Sequence, residues 1–142
     1  MQFDIDCAID IMNFIIDNQK LSDDKKLDVF YCKHFYEDKG LQKYGEDVIY
    51  YALIKLYEGN YIDAAMQIYQ NKYRINLIRG LTLKGHEFCE HMKSPTIAER
   101  VKNGFKTVGQ HSLNYAETVI KECMVASSRE ATKMIIRQNG IL

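Results

Sequence analysis

The residues best suited to chemistry lie in one short segment, His86-Glu87-Phe88-Cys89-Glu90-His91. It superficially resembles the zinc-protease motif H-E-x-x-H, in which histidines four residues apart share a helix face and converge on one metal ion. Here the histidines are five residues apart, which separates them by about 140° around a helix of 3.6 residues per turn. Pairs at the correct spacing supply only two ligands, and a metal site needs more. The segment therefore predicts no metal site, and we expect His86 to be partly buried and hydrogen-bonded to backbone or to a carboxylate.

A nucleophilic site is not indicated either. Cys32 lies two residues from His34, but no third group in a recognisable context would orient the pair. The four cysteines contain no C-x-x-C pair, which is typical of reduced thiols in a cytoplasmic protein. There is no glycine-rich phosphate loop. We therefore predict no catalytic residue, no metal and no cofactor, and a protein that is not an enzyme.

The elements that would position these residues are clearest between Tyr61 and Met92. Alternating apolar residues on either side of a polar turn at Gln70, Asn71 and Lys72 predict an antiparallel hairpin. Thr82 is then placed to cap a helix that carries Phe88 and Met92. A helix, a hairpin and a capped helix in this order are typical of a winged helix, a fold that binds nucleic acid or protein.

The preceding helices are predicted from apolar periodicity. The first spans about Asp4 to Asn18 and has one acidic stripe, so we expect the domain to wrap it, with a dimer contact as the alternative. Residues 19–44 should hold a short edge strand and a second helix whose bounds the sequence does not give. The middle helix follows Gly45 and ends at Gly59, which we expect to be a left-handed cap. Its core stripe is Ile49, Leu53 and Leu56.

Further helices are predicted towards the C-terminus. Ser94-Pro95 should begin one that ends near Gly104. Gly109 and His111-Ser112 should open the next, and Ser127 or Ser128 should cap a last short helix that Gly140 stops. In the second of these three C-terminal helices, we expect a core stripe at Leu113, Ala116, Ile120 and Cys123, with Val119 and Met124 on its flanks.

The net charge of zero hides an asymmetry. Residues 1–60 carry twelve acids and seven lysines, a net charge of −5, whereas residues 61–142 carry seven acids and twelve Lys or Arg, a net charge of +5. The halves could neutralise each other within the fold, attract each other between subunits, or offer a basic face to an anionic partner. The candidate contact residues of the hairpin, or wing, are Lys72, Tyr73, Arg74 and Arg79, although a regular strand would place Arg74 and Arg79 on opposite faces.

The middle helix occupies the position of a DNA-reading helix but has the wrong composition for it. Its outward residues should be Asp47, Tyr50 or Tyr51, Lys55 and Glu58. Groove-reading helices usually present Arg, Lys, Asn or Gln, so one lysine among acids argues against classical DNA reading. The candidate acidic partner face comprises Asp6, Asp10, Asp17, Asp47 and Glu58.

Length and composition indicate one ordinary globular domain. The chain has 142 residues and a single proline, enough length to bury a core. No stretch approaches the roughly 18 apolar residues of a membrane span, and the acidic N-terminus does not resemble a signal peptide. We predict a single α+β, mostly helical domain over 1–142, with a winged-helix-like core (three helices and a hairpin wing) at 1–92 and a helical extension at 93–142. We expect it in the cytoplasm, without membrane contact.

Three segments together resemble a known family: Phe3-Asp4-Ile5-Asp6, the stretch from Tyr50 to Ile62, and Leu81 to Phe88, which reads L-T-x-x-G-H-x-F. They are similar to the domain-of-unknown-function 2513 family of bacteriophages, prophages and Gram-positive bacteria, over roughly residues 1–127. The resemblance implies a winged-helix-like fold with a polar helical tail, a host-cell setting if phage-encoded, and no agreed activity. Its structural signature falls on Thr82, Gly85, His86 and Phe88. The chain departs from the family at Tyr51-Ala52, where a histidine is expected, and at Thr96-Ile97, where an aromatic is expected.

Three hypotheses for function follow. The first is a protein-binding adaptor or inhibitor of phage type that acts on a host defence or replication component through the acidic helices. The second is a dimeric DNA-binding regulator that uses the basic wing. The third is an enzyme built around His86. A host protein partner is favoured, DNA is the alternative, and a homodimer is compatible with both.

Overall fold

The computed structural model describes residues 1–107 and 113–138, with side chains described at 1–106, 113–126, 128 and 129. The chain divides into two compact units, Met1–Glu90 and His91–Leu142; that they form a single domain stays a prediction. The described elements, in chain order, are α1 Ile5–Asn18, α2 Cys32–Glu37, a 3-10 turn Gln42–Tyr44, α3 Glu46–Glu58, β1 Ile62–Tyr69, β2 Lys72–Leu81, α4 Leu83–Met92, α5 Pro95–Thr107 and α6 Leu113–Gln138.

Helix α1 is the centre of the first unit. Asp4 caps it by accepting a 3.0 Å hydrogen bond from the Cys7 backbone N–H, as expected for an aspartate at this position. Half of its residues are buried: Ile5, Cys7, Ala8, Ile9, Ile11, Met12 and Ile15. The prediction that the fold wraps α1 is therefore confirmed.

The segment between α1 and α3 is organised by contacts distant in sequence. Phe30 and Ile78 exchange backbone hydrogen bonds of 2.8 and 2.7 Å, which makes the predicted edge strand a single bridge beside β2. The Gln19 side-chain amide donates to the carbonyls of Asp28 and Arg79. Phe35 of α2 is fully buried. The second helix that a winged helix requires is therefore present as α2, whereas the predicted edge strand is reduced to this one bridge.

The end of α3 corrects one prediction. Gly59 is right-handed, with φ −83°, and the left-handed residue is Asn60, with φ 64°. Backbone bonds from Tyr61 to Leu56 and from Asn60 to Tyr57 form the Schellman arrangement, in which asparagine can replace glycine. Gly59 serves another purpose, because a Cβ there would lie 2.8 Å from the Tyr61 ring.

The hairpin is confirmed, with a shorter turn than predicted. Lys72 already belongs to β2, and the turn consists of Gln70 and Asn71, at φ 48° and 65°. Two left-handed residues are the signature of a type I′ turn, whose twist matches that of the strands. The register shifts twice, between Asp63 and Ala64 and between Ala65 and Met66, so β2 does not alternate regularly.

Helix α4 begins as predicted. The Thr82 hydroxyl accepts a 3.1 Å hydrogen bond from the Gly85 N–H and donates a 2.6 Å hydrogen bond to the Asn60 carbonyl. Phe88 is buried against the Tyr61 ring, with centroids 5.5 Å apart. The winged-helix-like core of the first unit is therefore complete, and the α+β fold with additional C-terminal helices is confirmed.

The second unit contains two longer helices than predicted. Ser94 accepts a hydrogen bond from Ile97 at the start of α5, but α5 continues to Thr107 instead of ending near Gly104. Gly104 faces Tyr115, and a Cβ there would clash with that ring. Helix α6 runs unbroken to Gln138, so no short helix starts at Ser127 or Ser128.

The core stripe of α6 is confirmed, since Leu113, Ala116, Ile120 and Cys123 are buried together with Val119. Met124, predicted on its flank, is instead 51% exposed. The predicted features at Gly109, His111, Ser112 and Gly140 lie outside the described residues.

Candidate functional site

The hairpin tip, residues 68–74, is the exposed part of the wing. Lys72 and Arg74 are exposed, and their neighbours Ile68 and Tyr69 are 57% and 72% exposed. Tyr73 is half-buried, and its carbonyl accepts a 2.6 Å hydrogen bond from the Tyr50 hydroxyl of α3. The tip thus carries two cations beside an exposed aromatic ring, an arrangement that suits a phosphate backbone.

Arg79 lies apart from the other two wing cations. It pairs with Asp63 across the hairpin at 3.2 Å, and β2 spaces it from Arg74 by five residues, about 16 Å at the usual strand rise. Both arginines are exposed, because the register shifts interrupt the alternation that would have put them on opposite faces. The structure therefore brings together Lys72 and Arg74, and not Arg79.

The α3 face comprises the outward residues Asp47, Tyr51, Lys55 and Glu58. The Lys55 ammonium donates to the Glu58 carboxylate at 3.1 Å and lies 5.4 Å from the centroid of the Tyr51 ring. The hydrogen bond to Glu58 is the main cause that raises the pKa of Lys55. The single cation of α3 is therefore already paired, and the exposed charge of this face is acidic.

The Tyr50 side chain is hydrogen-bonded to the hairpin. Its hydroxyl accepts a 3.1 Å hydrogen bond from the Ile75 N–H in addition to the bond that it donates to Tyr73. Of the two tyrosines proposed as outward residues, Tyr50 therefore anchors the hairpin to α3, and Tyr51 belongs to the α3 face.

The predicted acidic partner face is dispersed. Asp10 accepts from the Tyr44 hydroxyl and lies 3.8 Å from the Lys43 ammonium, while Asp6 is half-buried and Asp17 exposed. Asp47 and Glu58 stand at opposite ends of α3, about 16 Å apart at 1.5 Å per residue. These five residues are thus distributed over two helices, and three of them lie on α1.

A cleft of about 380 Å³, here called the α3 cleft, opens beside the N-terminal half of α3. Two carboxylates, three half-buried tyrosine side chains and the N-terminal residue Met1 border it. Its lining residues are Met1, Tyr36, Glu46, Asp47, Tyr50, Tyr51 and Ile54. The sequence predicted Asp47 but missed Tyr36 and Glu46, since α2 had no predicted bounds that could place Tyr36 beside α3.

The residues considered for catalysis are not arranged for it. Burial raises the pKa of the Cys32 thiol, which opposes a thiolate nucleophile, and His34 Nδ1 accepts from the Tyr31 backbone N–H at 2.9 Å. His86 is exposed rather than partly buried, because it follows Gly85 on the side of α4 turned away from Tyr61. No three His, Cys, Asp or Glu side chains in the described part of the chain are grouped as metal ligands.

The remaining signature residues join the end of α3 to the start of α4. Thr82 bonds to the Asn60 carbonyl, and Phe88 packs on Tyr61. A Cβ at Gly85 would overlap the Tyr61 carbonyl oxygen. Lys84 adds a 2.9 Å hydrogen bond to the Gly59 carbonyl and lies 4.7 Å from the centroid of the Tyr61 ring. These contacts of Thr82, Gly85 and Phe88 hold the end of α3 against the start of α4.

A family model described as a hypothetical protein, DUF2513, matches residues 2–111. The chain belongs to the DUF2513 family. In this DUF2513 protein the match extends from α1 through α5 and includes the α3 cleft, the hairpin and the junction at Thr82. No curated protein and no solved structure matches the chain. None of the helices among the described residues combines the length and the apolar character that crossing a bilayer requires.

Proposed function

We propose that this DUF2513 protein is a non-enzymatic binding protein of phage type that acts through protein–protein contacts of its acidic helices, for example as an inhibitor of a host defence or replication component. The observation that carries the proposal is the α3 face. Its one cation, Lys55, is held by Glu58 and Tyr51, which leaves Asp47 as an exposed negative charge where a DNA-reading helix needs positive or amide groups.

Electrostatics favour a protein over nucleic acid at this surface. A DNA phosphate beside the N-terminal end of α3 would be repelled by Asp47, since like charges at close range cost several kcal/mol in specific complexes, and Lys55 is already paired with Glu58. A basic protein surface would meet the same groups favourably. The α3 face would then imitate the charge of a nucleic acid, and the cytoplasm of the host cell is the compartment where such a partner would be met.

The absence of catalysis is part of the proposal. Cys32 has a raised thiol pKa, which disfavours the thiolate that a nucleophile needs, and His86 is exposed, which does not orient it as a base. The third hypothesis, an enzyme built around His86, is therefore ranked last.

The second candidate function is a dimeric DNA-binding regulator. It is favoured by the hairpin tip, where Lys72 and Arg74 are exposed next to Tyr69. A wing of this kind can follow a phosphate backbone while α3 stays outside the major groove. The number of cations is small, since Arg79 is paired with Asp63.

Fluorescence anisotropy with random-sequence and native-locus duplex DNA, across a salt series, separates the two candidates. The protein-binding proposal predicts no salt-dependent binding. Micromolar binding that weakens with salt, and whose log–log salt slope falls by about 1.8 in the Lys72→Glu/Arg74→Glu variant, would instead establish the regulator, since each phosphate contact contributes about 0.9.

Affinity capture from host-cell extract tests the positive side of the proposal with matched variants. The wild type and the wing variant Lys72→Glu/Arg74→Glu should retain the same specific protein. The face variant Asp47→Lys/Glu58→Lys should lose it. Loss in the wing variant together with retention in the face variant would contradict the proposal.

A further inference from the structure

The two outer edges of the hairpin differ in how their backbone groups are satisfied. On the outer edge of β2, Phe30 exchanges two backbone hydrogen bonds with Ile78. Further along the same edge, the Tyr50 hydroxyl bonds to the carbonyl of Tyr73 and to the N–H of Ile75. These contacts cover β2 much as a neighbouring strand would. In the described part of the chain, the backbone of β1 hydrogen-bonds to β2 alone.

The hairpin register identifies the uncovered groups of β1. In an antiparallel pair, residues that bond to the partner strand alternate with residues that turn their N–H and C=O away from it, and directly opposite residues turn the same way. Tyr73 and Ile75 turn these groups outward to Tyr50, so their partners Ile68 and Met66 turn theirs outward on the other edge. Two donors and two acceptors of β1 therefore point away from the hairpin near its tip.

Strand β1 lacks the features that usually protect an edge from pairing. Natural edge strands are blunted by proline, by lysine or by a bulge, but β1 reads IDAAMQIY. Its one charged residue, Asp63, is paired with Arg79. The extra residues at the two register shifts, Asn76 and Arg79, both belong to β2, so β1 itself is continuous. Two strands alone form a marginal sheet, and a further strand on this edge would stabilise the hairpin.

The sequence around Gln67 is complementary to itself. If two β1 strands pair antiparallel about a two-fold axis at Gln67, Met66 of each copy lies opposite Ile68 of the other. Their outward groups then form four backbone hydrogen bonds across the axis. Ala65 lies opposite Tyr69, so the flanking pairs are also apolar. Ile68 and Tyr69 are 57% and 72% exposed, and the pairing would cover part of that apolar surface.

The charges of the hairpin permit this pairing. Residues 64–69 carry no charge, so no like charges meet at the axis. Arg74 lies opposite Gln67 within the hairpin. The Arg74 side chains of the two copies would therefore be three strand spacings apart, about 14 Å. This distance exceeds the Debye length of about 10 Å at 0.1 M salt, so their repulsion is largely screened.

We propose that residues 65–69 of β1 bind the same residues of a second copy of the chain, forming a four-stranded antiparallel sheet with its two-fold axis at Gln67. Because each copy contributes the same edge, the contact is closed and assembly stops at a dimer. The inference goes beyond the proposed function, since it involves neither the α3 face nor a host protein. It would place Lys72 and Arg74 of both copies on one face of the sheet.

Sedimentation velocity of the full chain, from micromolar to millimolar concentration, tests the proposal. The wild type should form a reversible dimer with a micromolar dissociation constant. Gln67→Lys should weaken the dimer about ten-fold or more, because it sets two ammonium groups directly opposite each other in a pair without backbone hydrogen bonds, where side chains are closest. Gln67→Glu should weaken it similarly. An equimolar mixture of the two variants should restore the dimer, because the axis then joins opposite charges.

Asn76→Lys is the matched control, because it adds the same charge to an exposed hairpin residue that lies on β2. It should dimerise as the wild type does. A dimer that Gln67→Lys leaves unchanged, or a mixture no tighter than its two components, would overturn the inference. A monomer at every concentration would overturn it too and would leave the edge to a strand of another protein. The samples contain neither DNA nor a host protein, so these failures leave the proposed function standing.

Discussion

Gly85→Ala is the sharpest test of the view that the family signature is structural. An added Cβ would lie well under the 3.0 Å that real Cβ atoms keep from the Tyr61 carbonyl oxygen, and this neighbour is backbone that cannot rotate away. Overpacking of this kind costs about 3 kcal/mol, and alanine recovers about 1 kcal/mol of helix propensity. The net loss of unfolding free energy is therefore about 2 kcal/mol.

Urea unfolding followed by circular dichroism measures this loss, which corresponds to a fall in Tm of roughly 8 to 16 °C for a unit of the size of Met1–Glu90. The matched control is Gly40→Ala, where the nearest atom to the new Cβ is a side-chain oxygen of Asp38 at 3.1 Å that can turn aside. The control should stay within about 0.5 kcal/mol of the wild type. Equal stability of Gly85→Ala and the wild type would refute the close approach of α4 to Tyr61.

Three further predictions concern stability. Thr82→Ala removes the cap of α4 and the bond to Asn60 and should cost about 1 to 2 kcal/mol in urea unfolding, whereas Thr82→Ser should recover most of it. Tyr50→Phe removes both hydrogen bonds to β2 and should lower the hydrogen-exchange protection of the Ile75 amide about ten-fold, while leaving α1 protected. Burial raises the pKa of the Cys7 thiol to about 12 from 9.0; because the unfolded state then releases its proton first, stability falls as pH rises above 9, by about 1.4 kcal/mol from this group at pH 10. Under reducing conditions Cys7→Ala should lose that part of the pH dependence, and an unchanged dependence would contradict the assignment.

Local signals predicted the parts of the fold that neighbouring residues determine. Asp4 and Thr82 each cap a helix through a backbone N–H three residues on, so their role can be read within one turn. The hairpin was predictable for the same reason. Its turn was predicted one residue too long because Lys72, although polar, is compatible with an exposed strand.

The misread glycines have tertiary causes. Gly59 ends α3 as predicted but is not left-handed, and Gly104 was predicted to end a helix that continues to Thr107. Each glycine leaves room for a tyrosine ring, Tyr61 in the first case and Tyr115 in the second. The sequence shows that a glycine tolerates unusual backbone conformations and close approach, but it does not show which neighbouring residue makes a glycine necessary. Residues 19–44 were unreadable in the same sense, since Phe30 is positioned by Ile78, far along the chain.

The α3 face and the hairpin tip can be tested independently, because Tyr50 of α3 connects them through hydrogen bonds to main-chain atoms of the hairpin. Its hydroxyl bonds to the main chain of Tyr73 and Ile75, so reversing the charges of Lys72 and Arg74 leaves that anchor in place. Substitutions at Asp47 likewise leave the hairpin bonds untouched. If a variant loses the partner of one surface while the other surface still binds as in the wild type, the substituted residues contact that partner. Unfolding of the winged-helix core would instead abolish binding at both surfaces.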